Sequence, residues 1–439
     1  MNQKERERAR PMRAAVTGDA ASSRLRRPAR AGTPPKMGVA LAGGGPLGGI
    51  YEVGAMLALA DSIDGLDFNA LDVYVGVSSG GFVAAALANG ISPAQMYRLF
   101  IDDGRDAALK PEIFLRPALH EFVRRGAGLP SLVWHAALQY LRDPLHRGLI
   151  ESFATLSRAV PTGLFDNARI EGFLTRLFAA PGRSNDFRKL RARLFLVATN
   201  LDTGRPVTFG TNGFQHVPIS RAIQASSALP GLFPPVVIDG QHYVDGALNK
   251  TLHASLALDE GADMLFCVNP LVPFDAQSAS RRGRLTVQKL DRGGLPLVLS
   301  QTFRAIIYSR MKVGMGKYAT QYPHADILLF EPAREDVEMF VARIFSYSQR
   351  RKLCALAFAS IREYLAQNAA SIAPVLARHG LALREDRLAD ATRKVQDALT
   401  DPRPLHAGTE STSVRSVKRD LDFALSHLEY ALAALRGAG

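Results

Sequence analysis

The stretch DVYVGVSSGGFVAAALANG, residues 72–90, constrains the fold more than any other part of the chain. An apolar run without polar alternation turns within two residues into a helix-forming run of small residues, and Gly90 closes that run. Strands apolar throughout belong to a parallel sheet covered on both faces, because a half-exposed strand would alternate. An earlier stretch, VALAGGGPLGGIYEVGA at 39–55, has the same order: apolar strand, glycine loop, helix. Two such units in succession predict an α/β architecture with a parallel sheet between helical layers.

The two glycine-rich turns are where chemistry can sit. Gly43, Gly45 and Gly48 fit G-x-G-x-x-G, the spacing of a dinucleotide loop. That use needs an acid at the end of the second strand to hold the ribose. Asp67 and Asp72 precede the strand's apolar stretch instead, and no Gly-Lys-Ser/Thr follows to make a phosphate loop. The second strand ends in Gly76-Val77-Ser78-Ser79-Gly80, a G-x-S-x-G between strand and helix. In that context the turn lifts Ser78 above the sheet edge, the flanking glycines relieve crowding, and the helix dipole points at the hydroxyl. A serine nucleophile also needs oxyanion donors and a base. The first loop offers the amides of Gly43, Gly44 and Gly45; Pro46 has none.

Two kinds of base are available. His216, His242 and His253 lie in the later part of the core, none in a distinctive loop. Asp245, in YVDGALNK, closes an apolar strand and is followed by Gly246, so its carboxylate can face a neighbouring strand end. Asp239-Gly240 reads as a plain hairpin turn. An ordinary aspartate is a weak base for a hydroxyl, so Asp245 would have to be partly desolvated to act.

Further strands are expected in RLFLVATNLDTGRPVTFG, PVVIDGQHYVDGA, DMLFCVNP and DILLFEP. Residues 100–160 read as an amphipathic helical insertion, either a cap over the site or edge packing. LPLVLSQTFRAIIYSRMKVGMGKY (295–318) mixes apolar and basic residues and reads as a packing helix or a lipid-contacting one. The chain beyond 335 is mostly helical. The expected division is a basic tail (1–36), a catalytic domain (37–335) and a helical extension (336–439).

The tail carries ten Lys or Arg against three acids, out of a net charge of +13. It has little to bury and is expected to be disordered. It reads either as a solvated segment or as one drawn to an anionic membrane surface. Without interleaved aromatics it does not read as nucleic-acid binding. No apolar run is long enough to span a bilayer, and the two cysteines, Cys267 and Cys354, lie in core-like runs without metal-binding spacing. The expected setting is cytoplasmic, or peripheral at a membrane.

Three elements in order resemble the patatin-like phospholipases: GGGPLG at 43–48, GVSSG at 76–80 and DGA at 245–247. The runs GLFDNARIEGFL (163–174) and AIQASSALPGLFPPVVIDGQHYVDGAL (222–248) are similar to that family's connecting text. The resemblance covers roughly residues 37–270. It implies a three-layer α/β/α sandwich with a mostly parallel central sheet. It also implies a Ser78–Asp245 dyad without a catalytic histidine, Gly43, Gly44 and Gly45 as the oxyanion hole, and supporting roles for Gly48, Gly76, Gly80 and Gly246. The reaction implied is hydrolysis of fatty-acyl esters of membrane or micellar phospholipids or lysophospholipids through an acyl-enzyme, with no metal or organic cofactor. Leu47 departs from the family, which usually has Arg or Lys there. That departure is the one support for an alternative, a weakly active or inactive lipid-binding or scaffold protein.

Overall fold

A computed structural model of the chain describes residues 35–102, 162–281, 294–336 and 349–400. The expected insertion at 100–160 and the basic tail lie almost wholly outside these residues. The elements run β1 (Met37–Leu41), α1 (Gly45–Ser62), β2 (Ile63–Asp64), β3 (Val73–Val77), α2 (Ser79–Ala88), α3 (Ala168–Phe178), β4 (Arg193–Asn200), β5 (Pro206–Phe209), α4 (Ile219–Ser226), β6 (Val236–Ile238), β7 (Gln241–Asp245), α5 (Ala254–Asp259), β8 (Met264–Val268), α6 (Gly294–Gln321), β9 (Asp326–Phe330), α7 (Arg350–Gln367), α8 (Ala369–Ala377) and β10 (Ala382–Leu383). Shorter helical turns lie between them.

The main sheet has eight strands in the order β6-β7-β4-β3-β1-β8-β9, with β5 also on β4. The central pairs β4/β3, β3/β1, β1/β8 and β8/β9 are parallel, while β5, β6 and β7 pair antiparallel at one side. The period-two alternation of side chains divides the core between the two faces. Val39 and Leu41 of β1 join Met56, Ala84, Leu87 and Phe358 in one cluster, while Ala40 joins Ala257, Leu258, Met311 and Met315 in another. Helices α1, α2 and α7 therefore cover one face, and α5 and α6 the other. This is a mostly parallel sheet between helical layers, as the apolar strands predicted.

Sheet pairing also sets up one local geometry. Strand β4 meets β3 through residues 193–197, β5 through 196–199 and β7 through 198–200. A strand has only two edges, so β5 takes one, and β3 and β7 must share the other. They arrive head to head. Val77, the last residue of β3, lies opposite Val197, and Asp245, the last of β7, lies opposite Ala198.

Helix α7 crosses α1 at Gly54. A Cβ on Gly54 would stand 2.5 Å from the Cys354 carbonyl oxygen and 2.9 Å from the Ala357 Cβ. Gly54→Ala is therefore expected to force the two helices apart and cost about 1–3 kcal/mol, read as a lower midpoint in thermal melts.

Buried ion pairs tie the helical C-terminal part to this core. Asp61, at the end of α1, accepts from Arg393 Nε (2.7 Å) and Arg387 Nη1 (2.8 Å). Asp326, at the start of β9, accepts from both Arg378 Nη2 (2.8 Å) and His379 Nε2 (2.9 Å). Both aspartates are almost fully buried. Beside Asp61, β2 and β10 form a second, two-stranded sheet. Its strands, two residues each, are too short to show a period along the chain.

Candidate active site

Ser78 caps the N-terminus of α2 with φ 54° and ψ −124°. Among the described residues only Ser78 and Asp239 have positive φ without being glycine. Asp239 sits in the predicted two-residue turn with Gly240 (φ 76°), where positive φ is normal. Ser78 sits between a buried strand and a helix, where such strain persists only if its surroundings enforce it.

Those surroundings are identifiable. A Cβ on Gly76 would collide with the Gly80 carbonyl, and one on Gly80 would stand 2.5 Å from the Ala42 carbonyl oxygen. Strand, turn and helix thus close on one another at backbone distance. The Ser78 N–H donates to Ser226 Oγ (2.8 Å), and that hydroxyl donates to the Val197 carbonyl (2.6 Å). Ser226 is fully buried at the end of α4 and ties the turn to β4. No motif marks Ser226 along the chain beyond the paired serines in the run 222–248. Ser226→Ala would leave two buried backbone groups unpaired. Its expected effect is a fall in kcat of about tenfold or more with KM little changed, in steady-state assays of ester hydrolysis.

Asp245 is 3% exposed. Its backbone N–H donates to the Ala228 carbonyl (3.0 Å), and its Oδ1 accepts from the Ala247 N–H (2.8 Å). Burial pushes its carboxyl up to about 6, against partial relief from the Ala247 amide and from the Ser78 hydroxyl, which faces the carboxylate. The strand ends meeting on β4 thus bring Ser78 and Asp245 together. Gly246 lies so close to β4 that a Cβ there would collide with the Val197 carbonyl.

The first glycine loop completes the arrangement. A Cβ on Gly43 would stand 3.1 Å from the Cβ atoms of both Ser78 and Ala247, so this loop packs directly on the pair. Gly44 caps α1, Gly45 has φ 62°, and Gly48 lies on the helix beside the Ser79 hydroxyl. Among the described residues, the amides of Gly43, Gly44 and Gly45 make no backbone hydrogen bond. Free amides at a helix N-terminus suit an oxyanion as well as a phosphate. Leu47 points into the main core, 7% exposed. A cation at that position would therefore not replace it in place.

Two of the three histidines are engaged elsewhere. His216 pairs with Asp239 (2.9 Å) and His242 with Asp202 (3.3 Å), both on the surface. His253 is buried, and burial together with the nearby Lys250 lowers its pKa to about 3, so it stays neutral. Among the described residues no group of three or more His, Cys, Asp or Glu is placed to hold a metal ion. No helix among them is long and apolar enough to cross a membrane. Cys267 and Cys354 are free and buried.

Comparison with solved structures finds VipD from Legionella pneumophila, 14% identical, with 84% of this chain and 83% of that one aligned at a TM-score of 0.32. It also finds full-length ExoU of the Pseudomonas aeruginosa type III secretion system, solved with full-length SpcU. That structure is 18% identical, with 66% of this chain and 53% of that one aligned at a TM-score of 0.26, so this chain spans about half of ExoU's length. In sequence, the family model for patatin-like phospholipase matches residues 39–258, from β1 through α5 and across every element that builds the site. The chain belongs to the patatin-like phospholipase family.

Proposed function

We propose that this protein is a serine acyl hydrolase that cleaves fatty-acyl esters of phospholipids or lysophospholipids, with Ser78 as nucleophile and Asp245 as base. The observation that carries this reading is the head-to-head arrival of β3 and β7 on one edge of β4, which brings Ser78 and Asp245 to adjoining strand ends beside glycine amides that, among the described residues, make no backbone hydrogen bond.

The chemistry follows from that placement. Ionised Asp245 takes the Ser78 proton as the Oγ attacks the ester carbonyl. The developing oxyanion lies against the amides of Gly43, Gly44 and Gly45, each well-placed donor lowering the barrier by about 2.7–4 kcal/mol. Collapse expels the alcohol, which recovers the proton, and leaves the acyl group on Ser78. Asp245 then draws a proton from water, and hydrolysis of the acyl-enzyme frees the fatty acid. A carboxyl near 6 is a better proton acceptor than an ordinary aspartate and is still mostly ionised at pH 7. We place the catalytic unit at residues 37–335, braced by the helices from 350 onward.

A panel of phospholipids, lysophospholipids and glycerides, assayed in parallel with wild type and Ser78→Ala, tests the proposal. Release of fatty acid from at least one phospholipid class by wild type alone is expected. No release from any lipid, with no labelling of Ser78 by a fluorophosphonate, would leave a non-catalytic lipid-binding protein as the better reading.

A further inference from the structure

Helix α6 is apolar on two sides. Ile307, Met311, Met315 and Tyr318 turn inward onto the sheet and are buried. Leu299, Phe303, Ile306 and Val313 form a second row at helical spacing and face outward, between 43% and 59% exposed. Arg310 and Lys317 continue the same row and are exposed. The 28-residue helix contains Arg304, Arg310, Lys312 and Lys317 and not one Asp or Glu.

The helix is also anchored to both segments that border the dyad. Gln301 bonds the N–H and the carbonyl of Phe274 (3.1 and 2.8 Å), and Arg304 donates to the Val272 carbonyl (3.3 Å). That segment begins at Pro270, whose ring packs on Gly44 and Gly48 of the first glycine loop. At the other end Lys250, five residues beyond Asp245, donates to the Tyr318 hydroxyl (2.6 Å). An exposed apolar row on a protein surface marks a binding face, and the charged residues of this helix are all positive.

We propose that the outer row of α6 docks the protein onto an anionic bilayer, laying the side chains of Leu299, Phe303, Ile306 and Val313 among the acyl chains with Arg310 and Lys317 at the headgroups. The helix would then lie along the interface plane with its inner side still packed on the sheet. The charge of the whole chain, +13, has the matching sign. The inference deepens the acyl-hydrolase reading by giving that enzyme its approach to substrate, and binding can be measured without catalysis.

The test uses the full-length Ser78→Ala chain, cosedimented with phosphatidylcholine vesicles with and without phosphatidylglycerol. Binding to the anionic vesicles is expected. Phe303→Asp with Ile306→Asp should lower the partition coefficient at least about tenfold, and Arg310→Glu with Lys317→Glu should abolish the preference for anionic lipid. Because both native cysteines are buried, Val313→Cys can be labelled selectively with an environment-sensitive fluorophore, which should shift to the blue on anionic vesicles. With Ser78 present, the Phe303/Ile306 variant should hydrolyse p-nitrophenyl butyrate like wild type while losing vesicle hydrolysis. Unchanged partitioning of that variant, or vesicle binding without a shift at position 313, overturns the proposal. So does a wild-type dimer that the variant dissociates, since the row would then bind a second copy. If the intact chain fails on the soluble ester, the hydrolase reading falls, while the partition data still decide the docking.

Discussion

Ser78→Ala is expected to lower kcat/KM for ester hydrolysis by about 10⁴ or more with little change in melting temperature. Removing the nucleophile of a serine hydrolase costs orders of magnitude because the residual site can stabilise an oxyanion but has nothing to form the acyl-enzyme. The fold should tolerate the change. The turn is held through the backbone N–H of residue 78 and by glycine contacts on either side, none of which involves the hydroxyl. The measurement is paired: steady-state hydrolysis, and intact mass after treatment with a fluorophosphonate. Wild type should gain one adduct on Ser78 and the variant none. Activity of the variant within about tenfold of wild type, or an adduct that persists elsewhere, would remove Ser78 from the reaction.

Asp245→Asn is expected to produce two opposite effects: loss of activity by about 10³ or more, and a gain in stability at neutral pH. The gain follows from the sign of the shift. The Asp245 carboxyl titrates near 6 in the folded protein and near 4 when unfolded, because burial disfavours the charged form. The folded state therefore holds the proton more tightly, and its ionised form becomes a growing liability as pH rises from about 4 through about 6. Above that range the liability is complete, at most about 3 kcal/mol for a two-unit shift. Asparagine has no charge to bury and keeps an oxygen for the Ala247 amide. The melting temperature of the variant should match wild type near pH 4 and exceed it at pH 8. With Asp245 as the proposed base, the same group sets the acid limb of activity, so wild-type kcat/KM should fall as pH drops through about 6. A variant no more stable than wild type at pH 8, or one that hydrolyses short esters at the wild-type rate, would show that Asp245 is not the buried base.

Much of this arrangement was legible in the sequence, for definite reasons. The strands β1, β3, β8 and β9 are apolar on both faces, so their type and parallel pairing could be read from a run of residues alone. The β6–β7 hairpin was marked by Asp239-Gly240, and the turn at Ser78 by glycines two residues to either side. What stayed hidden depends on pairing between distant strands. Nothing local in β4 indicates that its one edge serves two partners, and that shared edge is what brings Ser78 to Asp245. Ser226 was missed because its role lies in two hydrogen bonds across the fold, not in a motif. Helix α6 was ambiguous because apolar residues on both sides blur the period that marks an inward face. The clamp of Asp61 by Arg387 and Arg393 joins charges that look like ordinary surface residues when read along the chain.

The shared edge of β4 has a consequence for when such a protein could become active. The strand that ends at Ser78 is synthesised long before β4 and β7, and neither β3 nor β7 pairs with the other. A growing chain that has already made its reactive turn still has no proton acceptor beside it. Long-range pairing of this kind forms late in folding. On the proposed reading, lipid-cleaving capacity emerges only with the finished sheet, and partly made chains leave the membranes around them intact.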